Sequence, residues 1–405
     1  MNDTTKGNRL HIAIFGRRNV GKSSIINALT NQRVSIVSDK AGTTTDPVYK
    51  AMELLPLGPV MIIDTAGVDD DEGEIGLLRL KKTEQIIEKT DLAILVFNFN
   101  VDDLYYEKAW YKQLRKKKIP IIGVINKVDN INTEVDIYKY NREFQIPFIK
   151  VSALKNINID KLKEKIIENS PVDFEMPALV GDIINKGDII LLVAPQDIQA
   201  PKGRLILPQV QTIRDLLDND AIVITIKDSQ LEYVIKQMKI KPNLVITDSQ
   251  IFNKVNKLLP EDVNFTSFSI LMARFKGDLE TFIQGAMAIE KLKPLDKVLI
   301  SESCTHHALK GDIAREKIPN WLREKVGANL QITFSSGVDF PENIREYKLI
   351  IHCGGCMFNR KQMMERICKA KSYGIPITNY GTAIAYMNGI LNRATEIFNN
   401  IKKGQ

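Results

Sequence analysis

An α/β fold of three modules, the first followed by two smaller parallel-sheet modules, is what this sequence of 405 residues predicts. Three observations carry that expectation. Runs rich in Ile and Val alternate with helical patterns from end to end, the pattern of repeated strand-helix units around buried parallel strands. A glycine-bearing segment, residues 16–23, stands between the first apolar run and an amphipathic one. Ser170, Pro171, Pro177 and Gly181 then punctuate the chain as a linker.

In the first third the apolar runs place strands at Leu10–Phe15, Val60–Ile63, Leu92–Phe97, Ile121–Ile125 and Phe148–Val151, and a closing helix at Ile159–Glu168. The middle segment repeats the pattern with strands Ile189–Val193, Ala221–Ile226 and Leu244–Ile246, a helix following each of the last two. A long helical stretch from Ser269 to Lys291 opens the last segment, with strands Lys297–Ile300, Leu330–Phe334, Leu349–Ile351 and Ile375–Thr378 behind it. The resulting domains are residues 1–172, 178–266 and 269–405. No low-complexity tract and no repeat of fixed period is visible.

Composition excludes several classes. With 44% hydrophobic and 26% charged residues the chain reads as globular, and its net charge of +7 is a mild excess. The densest basic run, Arg115 to Lys118, reads as a solvated helix end rather than a nucleic-acid patch. Residues 1–10 lack the apolar core of a signal peptide, and no stretch approaches the roughly 18 apolar residues of a membrane helix. A cytoplasmic protein without a membrane partner is expected. Four cysteines, Cys304, Cys353, Cys356 and Cys368, make no disulfide framework for a chain this long.

Gly16-Arg17-Arg18-Asn19-Val20-Gly21-Lys22-Ser23, running on into Ser24, fits the Walker A pattern. Its glycines let backbone amides and the helix amino terminus face phosphates, with Lys22 reaching the β and γ groups and Ser23 ligating Mg2+. Asp64-Thr65-Ala66-Gly67 places a carboxylate near that metal and an amide, that of Gly67, at the γ phosphate. Between them, Gly42-Thr43-Thr44-Thr45-Asp46 supplies a threonine that could close onto Mg2+; Thr44 is favoured by its position, with Thr43 and Thr45 as alternatives. Asn126-Lys127-Val128-Asp129 selects guanine, because the Asp129 carboxylate accepts from ring nitrogens in a way that adenine cannot match. Ser152-Ala153-Leu154 completes the pocket with the Ala153 amide. GTP and GDP are the expected ligands, and Lys22, Thr44, Asp64 and Gly67 the expected catalytic set.

These motifs together resemble the translation-factor-related GTPases, in particular the group with tRNA-modifying and ribosome-assembly members. Val68 stands where Ras-like proteins carry the glutamine that orients water, so unassisted turnover should be slow. By the same resemblance Asn19 would hold K+, a positive charge in place of an arginine finger.

The last module holds Cys304-Thr305-His306 and, 46 residues after His306, His352-Cys353-Gly354-Gly355-Cys356. If strands Lys297–Ile300 and Leu349–Ile351 share one parallel sheet, these cysteines meet at its carboxyl edge, the ligand edge of open α/β sheets. Three thiolates suit a [4Fe-4S] cluster whose fourth iron has another ligand; structural zinc, with cysteines and a histidine, and a metal-free core are the alternatives. Cys368, after Met364 and Ile367, reads as buried helix core, and His11 as a core or edge residue of the first strand.

A GTPase segment followed by Cys-x-His and His-Cys-x-x-Cys resembles the [FeFe]-hydrogenase maturation GTPases, the HydF family, over the whole chain in domain order. The resemblance implies a GTP-hydrolysing scaffold that carries a [4Fe-4S] cluster on Cys304, Cys353 and Cys356. His306 or His352 would be a possible fourth ligand or lie nearby, and Glu302 is another possibility. It further implies a transient di-iron precursor as cargo, with the hydrogenase apoprotein and two radical-SAM maturases as partners. The middle module would form a homodimer. The alternative is a ribosome- or tRNA-maturation GTPase with a zinc module, but neither a Gly-x-x-Gly RNA loop nor an aromatic RNA-binding strand is present, so nucleic acid is not expected. The Cys-x3-Cys-x2-Cys spacing of a radical-SAM enzyme is absent.

Overall fold

The chain is described here by a computed structural model, which covers residues 9–30, 47–65, 83–98, 103–130, 137–171, 178–195, 205–303, 312–337, 340–341, 343–355 and 357–399. It forms two units, Met1–Glu175 and Met176–Gln405. The first is built on a six-stranded sheet of β1 (Leu10–Phe15), β2 (Val48–Leu54), β3 (Gly58–Asp64), β4 (Leu92–Asn98), β5 (Ile121–Asn126) and β6 (Phe148–Lys150), in the order β2-β3-β1-β4-β5-β6. β1 and β5 are buried at every position, as parallel strands covered on both faces must be. Helices α1 (Lys22–Thr30) and α4 (Ile159–Asn169) cover one face, through Ile25, Ile26, Leu29, Leu162 and Ile166. On the other, α2 (Tyr105–Lys116) and α3 (Ile137–Phe144) seat Trp110, Leu114, Tyr140 and Phe144.

β2 escapes sequence reading because it is the sheet's half-exposed edge, antiparallel to β3, and carries Lys50 and Glu53. Such a strand shows no continuous apolar run.

Two four-stranded parallel sheets make up the second unit. One has the order β10-β9-β7-β8, from β7 (Ile189–Val193), β8 (Ile222–Ile226), β9 (Leu244–Thr247) and β10 (Asn264–Ser267). The other has β12-β11-β13-β14, from β11 (Lys297–Ser301), β12 (Gln331–Ser335), β13 (Leu349–His352) and β14 (Ile377–Asn379). The connecting helices are α5 (Leu207–Asp218), α6 (Leu231–Gln237), α7 (Phe252–Leu258), α8 (Phe268–Lys276), α9 (Leu279–Met287), α10 (Ile318–Val326), α11 (Arg360–Ser372), α12 (Tyr380–Met387) and α13 (Leu391–Thr395). α5 and β10 were not foreseen. The stretch expected as one helix from Ser269 to Lys291 is α8, α9 and a short 3-10 turn. Gly277 stops α8, and the Asp278 carboxylate caps α9 by accepting the Thr281 N–H at 3.2 Å.

One hydrophobic core runs through both sheets, from Leu179 through Val193, Phe252 and Ile300 to Phe398. The last helix turns back onto the first of them: α13 packs on β10, and Arg393 donates to Asn256 Oδ1 and the Pro260 carbonyl, both at 2.6 Å.

Candidate functional site

The loop between β1 and α1 is held by close backbone approach. A Cβ at Gly16 would sit 2.8 Å from the Val96 carbonyl, and one at Gly21 would sit 2.2 Å from Asn126 Nδ2. Gly21, at φ +92°, therefore has two reasons to be glycine. Lys22 is buried, and its ammonium donates to the carbonyls of Gly16 and Arg17, each at 2.8 Å. Ser23 and Ser24 follow in the first turn of α1, whose first internal hydrogen bond runs from the Ile25 N–H to the Gly21 carbonyl. The free amides of such a turn face anions.

β3 delivers Asp64 beside Ser23, whose hydroxyl donates to Asp64 Oδ2 at 2.7 Å. The two groups expected on Mg2+ are thus adjacent. Burial raises the Asp64 carboxyl above its ordinary range, with the Ser23 hydroxyl, Lys22 and Lys50 pulling the other way. Lys50 is lowered, first by burial and against the attraction of Asp64. Thr65 ties the segment to β1 by donating its hydroxyl to the Ile14 carbonyl at 2.7 Å. Thr44, Gly67 and Val68 lie outside the described residues.

The base end is as closely knit. Asn126 donates to the Val20 carbonyl at 3.0 Å and accepts the Ala153 N–H at 3.2 Å, joining phosphate loop and base loop through one side chain. Lys127 donates to the carbonyl of Asn19 at 2.6 Å, and Asn19 is left-handed at φ 60°. The Ser152 hydroxyl donates to Asp129 Oδ1 at 2.5 Å and is the first cause of that carboxyl lying below its ordinary range. Sequence reading missed a further tether: the Arg17 guanidinium pairs with the buried Glu107 of α2 at 3.0 Å and lies over Tyr106. Two charged residues 90 apart give no local signal.

In the second unit, β11 and β13 are neighbours in register, with Ser301 opposite His352. Their carboxyl ends adjoin where the strand order reverses, the crevice in which open sheets bind ligands. The sulfur of Cys353 accepts from the Ser303 N–H at 3.1 Å and lies 3.2 Å from its hydroxyl. Ser303 immediately precedes Cys304. Gly355 turns back with φ +65°, and Cys356 follows. Cys304, His306 and Cys356 lie outside the described residues, and among the described residues no three metal-binding side chains converge. What is described fits a thiolate-bound metal: a soft sulfur donor at the sheet edge, oriented by the Ser303 N–H and within hydrogen-bond distance of its hydroxyl.

His352 is fully buried and bonded at both nitrogens, Nδ1 to the Cys353 carbonyl at 2.8 Å and Nε2 to Arg366 at 2.8 Å. Burial first, then the Arg366 charge, hold its pKa down to about 3. It is a neutral ring with neither nitrogen turned to a metal, so this geometry does not offer it as the fourth ligand. Glu302 is buried and accepts from Arg315 at 2.8 Å. Cys368 corrects an expectation, for it is exposed: the buried stripe of α11 is Met363, Arg366, Ile367 and Ala370, and Cys368 points about 100° away from Ile367. His11 is buried, with Nδ1 2.8 Å from the Arg9 carbonyl.

Among the described residues no helix is long and apolar enough to cross a membrane. Sheet, phosphate loop, Asp64 and base loop define a translation-factor-related P-loop GTPase. Residues 11–127 match the model of the 50S ribosome-binding GTPase family. The chain is 35% identical over 160 residues to GTPase Der of Clostridium kluyveri, covering 39% of this chain and 36% of that protein. It is 31% identical over 164 residues to the tRNA modification GTPase MnmE of Aquifex aeolicus, covering 40% and 35%. It therefore spans about a third of the length of these relatives. Among solved structures, an Era variant of Aquifex aeolicus bound to GDP.AlF4- has 20% identity and a TM-score of 0.37, covering 54% of this chain and 92% of that one.

Beyond the GTPase segment, residues 179–277 match the hydrogen maturase F dimerization domain and residues 280–397 the hydrogen maturase F tetramerization domain. The chain belongs to the hydrogen maturase F family.

Proposed function

We propose that this chain is a GTP-hydrolysing scaffold for [FeFe]-hydrogenase maturation. It carries a [4Fe-4S] cluster on Cys304, Cys353 and Cys356, takes up a di-iron precursor as cargo and delivers it to the hydrogenase apoprotein, with two radical-SAM maturases as suppliers. The observation that supports this reading is the hydrogen bond from the Ser303 N–H to the Cys353 sulfur at the sheet's ligand edge, Ser303 being the residue before Cys304 in the sequence. When bound, the cluster supplies an iron whose fourth position is exchangeable, as a carrier requires.

In the nucleotide site Lys22 and the α1 amides hold phosphates, Ser23 and Asp64 hold Mg2+, and Asp129 with the Ala153 amide reads guanine. Asn19 holds K+ there, and Thr44 and Gly67 respond to the γ phosphate. Family membership supports a homo-oligomer through residues 179–277 and 280–397.

The test is an anaerobic assay of iron, sulfide and zinc, with EPR spectra of the reduced protein, on wild type and on Cys304→Ala, Cys353→Ala and Cys356→Ala. About four irons and four sulfides per chain, lost in each variant, are expected. Stoichiometric zinc without iron would move the function to an RNA-maturation GTPase with a zinc module. GTP turnover measured in K+ and in Na+ checks the ion, and equal rates would remove it from Asn19.

A further inference from the structure

We propose that Arg366 is the positioning residue of the cysteine edge, holding Cys353 in its ligating orientation through His352. This rests on the reading that Cys353 binds metal.

Arg366 occupies a core position of α11 where the helical stripe calls for an apolar residue, and it is only 7% exposed. Burying a guanidinium is costly unless its donors are satisfied. Here Nη1 donates to Ser301 Oγ at 2.9 Å and to His352 Nε2 at 2.8 Å, while Nη2 donates to the Gly337 carbonyl at 2.9 Å. Its charge lies over two rings, 4.4 Å from the centroid of Phe358 and 4.8 Å from that of Phe340. These contacts gather β11, β13 and the loop after residue 353 around one cation.

The chain of bonds has a direction. An Arg366 donor makes His352 Nε2 the acceptor, which leaves the ring proton on Nδ1, and that proton is donated to the Cys353 carbonyl. With the Cys353 N–H bonded to the Ser301 carbonyl at 2.9 Å, both backbone groups of Cys353 are fixed, and on that fixed backbone the Ser303 N–H, 3.1 Å from the sulfur, holds the side chain in one rotamer. Outer groups of this kind set ligand orientation, and their loss typically weakens metal binding about 10- to 100-fold. Lys276, fully buried, grips the far end of the same loop by donating to the Phe358 carbonyl at 2.6 Å.

The test uses the full chain, purified metal-free under argon, with Zn2+ as probe in competition with a chromophoric chelator. Zinc reports thiolate geometry whichever metal the cell supplies. Arg366→Gln is expected to bind Zn2+ about 10- to 100-fold more weakly than wild type, with Arg366→Lys intermediate. His352→Gln, which removes the relay and leaves Arg366 in place, should weaken binding as Arg366→Gln does and keeps the test valid if the arginine variant misfolds. In cluster-loaded protein, Arg366→Gln should shift the EPR g-values while GTP turnover stays at the wild-type rate.

Wild-type zinc affinity and g-values in Arg366→Gln and His352→Gln would overturn the proposal while leaving the cluster reading in place. A wild type that assembles no cluster, yet shows the Arg366 effect on zinc, would overturn the cluster and keep the positioning role. Unchanged zinc affinity in Cys353→Ala would overturn the proposal outright.

Discussion

At the scale of the residue, the nucleotide site depends on backbone approach as much as on side-chain chemistry. Gly21 lets the phosphate loop close onto Asn126, which in turn holds both Val20 and Ala153. Gly21→Ala meets that amide and a left-handed backbone together, so the first unit should lose about 1–3 kcal/mol, read by denaturant unfolding, and GTP binding should weaken with it. A variant as stable as wild type would show that Asn126 can move aside. The residues that sequence reading found are those whose chemistry is tied to local spacing: Lys22, Ser23, Asp64, Asn126 and Asp129. Those it missed act across long separations. Ser303 bonds a sulfur 50 residues away, and Arg366 looks like a surface arginine until its helix is seen to bury it.

Among elements, β13 carries a neutral histidine into the core. Its folded pKa of about 3 lies below the ordinary 6.5, so between those values the unfolded chain binds the extra proton. The stabilisation is complete above pH 6.5 and is lost as pH falls toward 3, at about 1.4 kcal/mol per pH unit. Comparing wild type with His352→Gln by urea unfolding from pH 7 to pH 4, followed by Trp321 fluorescence in a Trp110→Phe background, isolates the effect. The difference in stability between the two chains should change with pH, and a constant difference would show that His352 ionises freely in the fold. Strands with continuous apolar runs, such as β1, β4 and β5, were legible. β2 and β10 were not: the one is a half-exposed edge and the other is the four-residue segment Asn264–Ser267, in which Phe265 alone is apolar. The break between α8 and α9 turns on Gly277 and the Asp278 cap within an otherwise apolar stretch, which periodicity alone reads straight through.

Over the whole molecule, the sequence suggested a break between the middle and last segments, and the two matched family domains meet between residues 277 and 280; one core nonetheless crosses from Leu179 to Phe398, and α13 returns to β10. Residues 176–405 expressed alone should therefore unfold in a single thermal transition, and a fragment of residues 178–266, deprived of α13 and half the core, should not fold. Two resolved calorimetric transitions in the longer fragment would contradict this. The two sheets of that unit share one strand order: numbered within each, both run 2-1-3-4. Their last residues also correspond, Ile226, Val193, Thr247 and Ser267 in one and Ser335, Ser301, His352 and Asn379 in the other. Ser267 and Asn379 even cap the helices that follow. One plan therefore serves two edges with different chemistry: the residue after the third strand is Asp248 in one sheet and Cys353 in the other, and residues 178–266 contain no cysteine, so only one of the two edges presents a thiol.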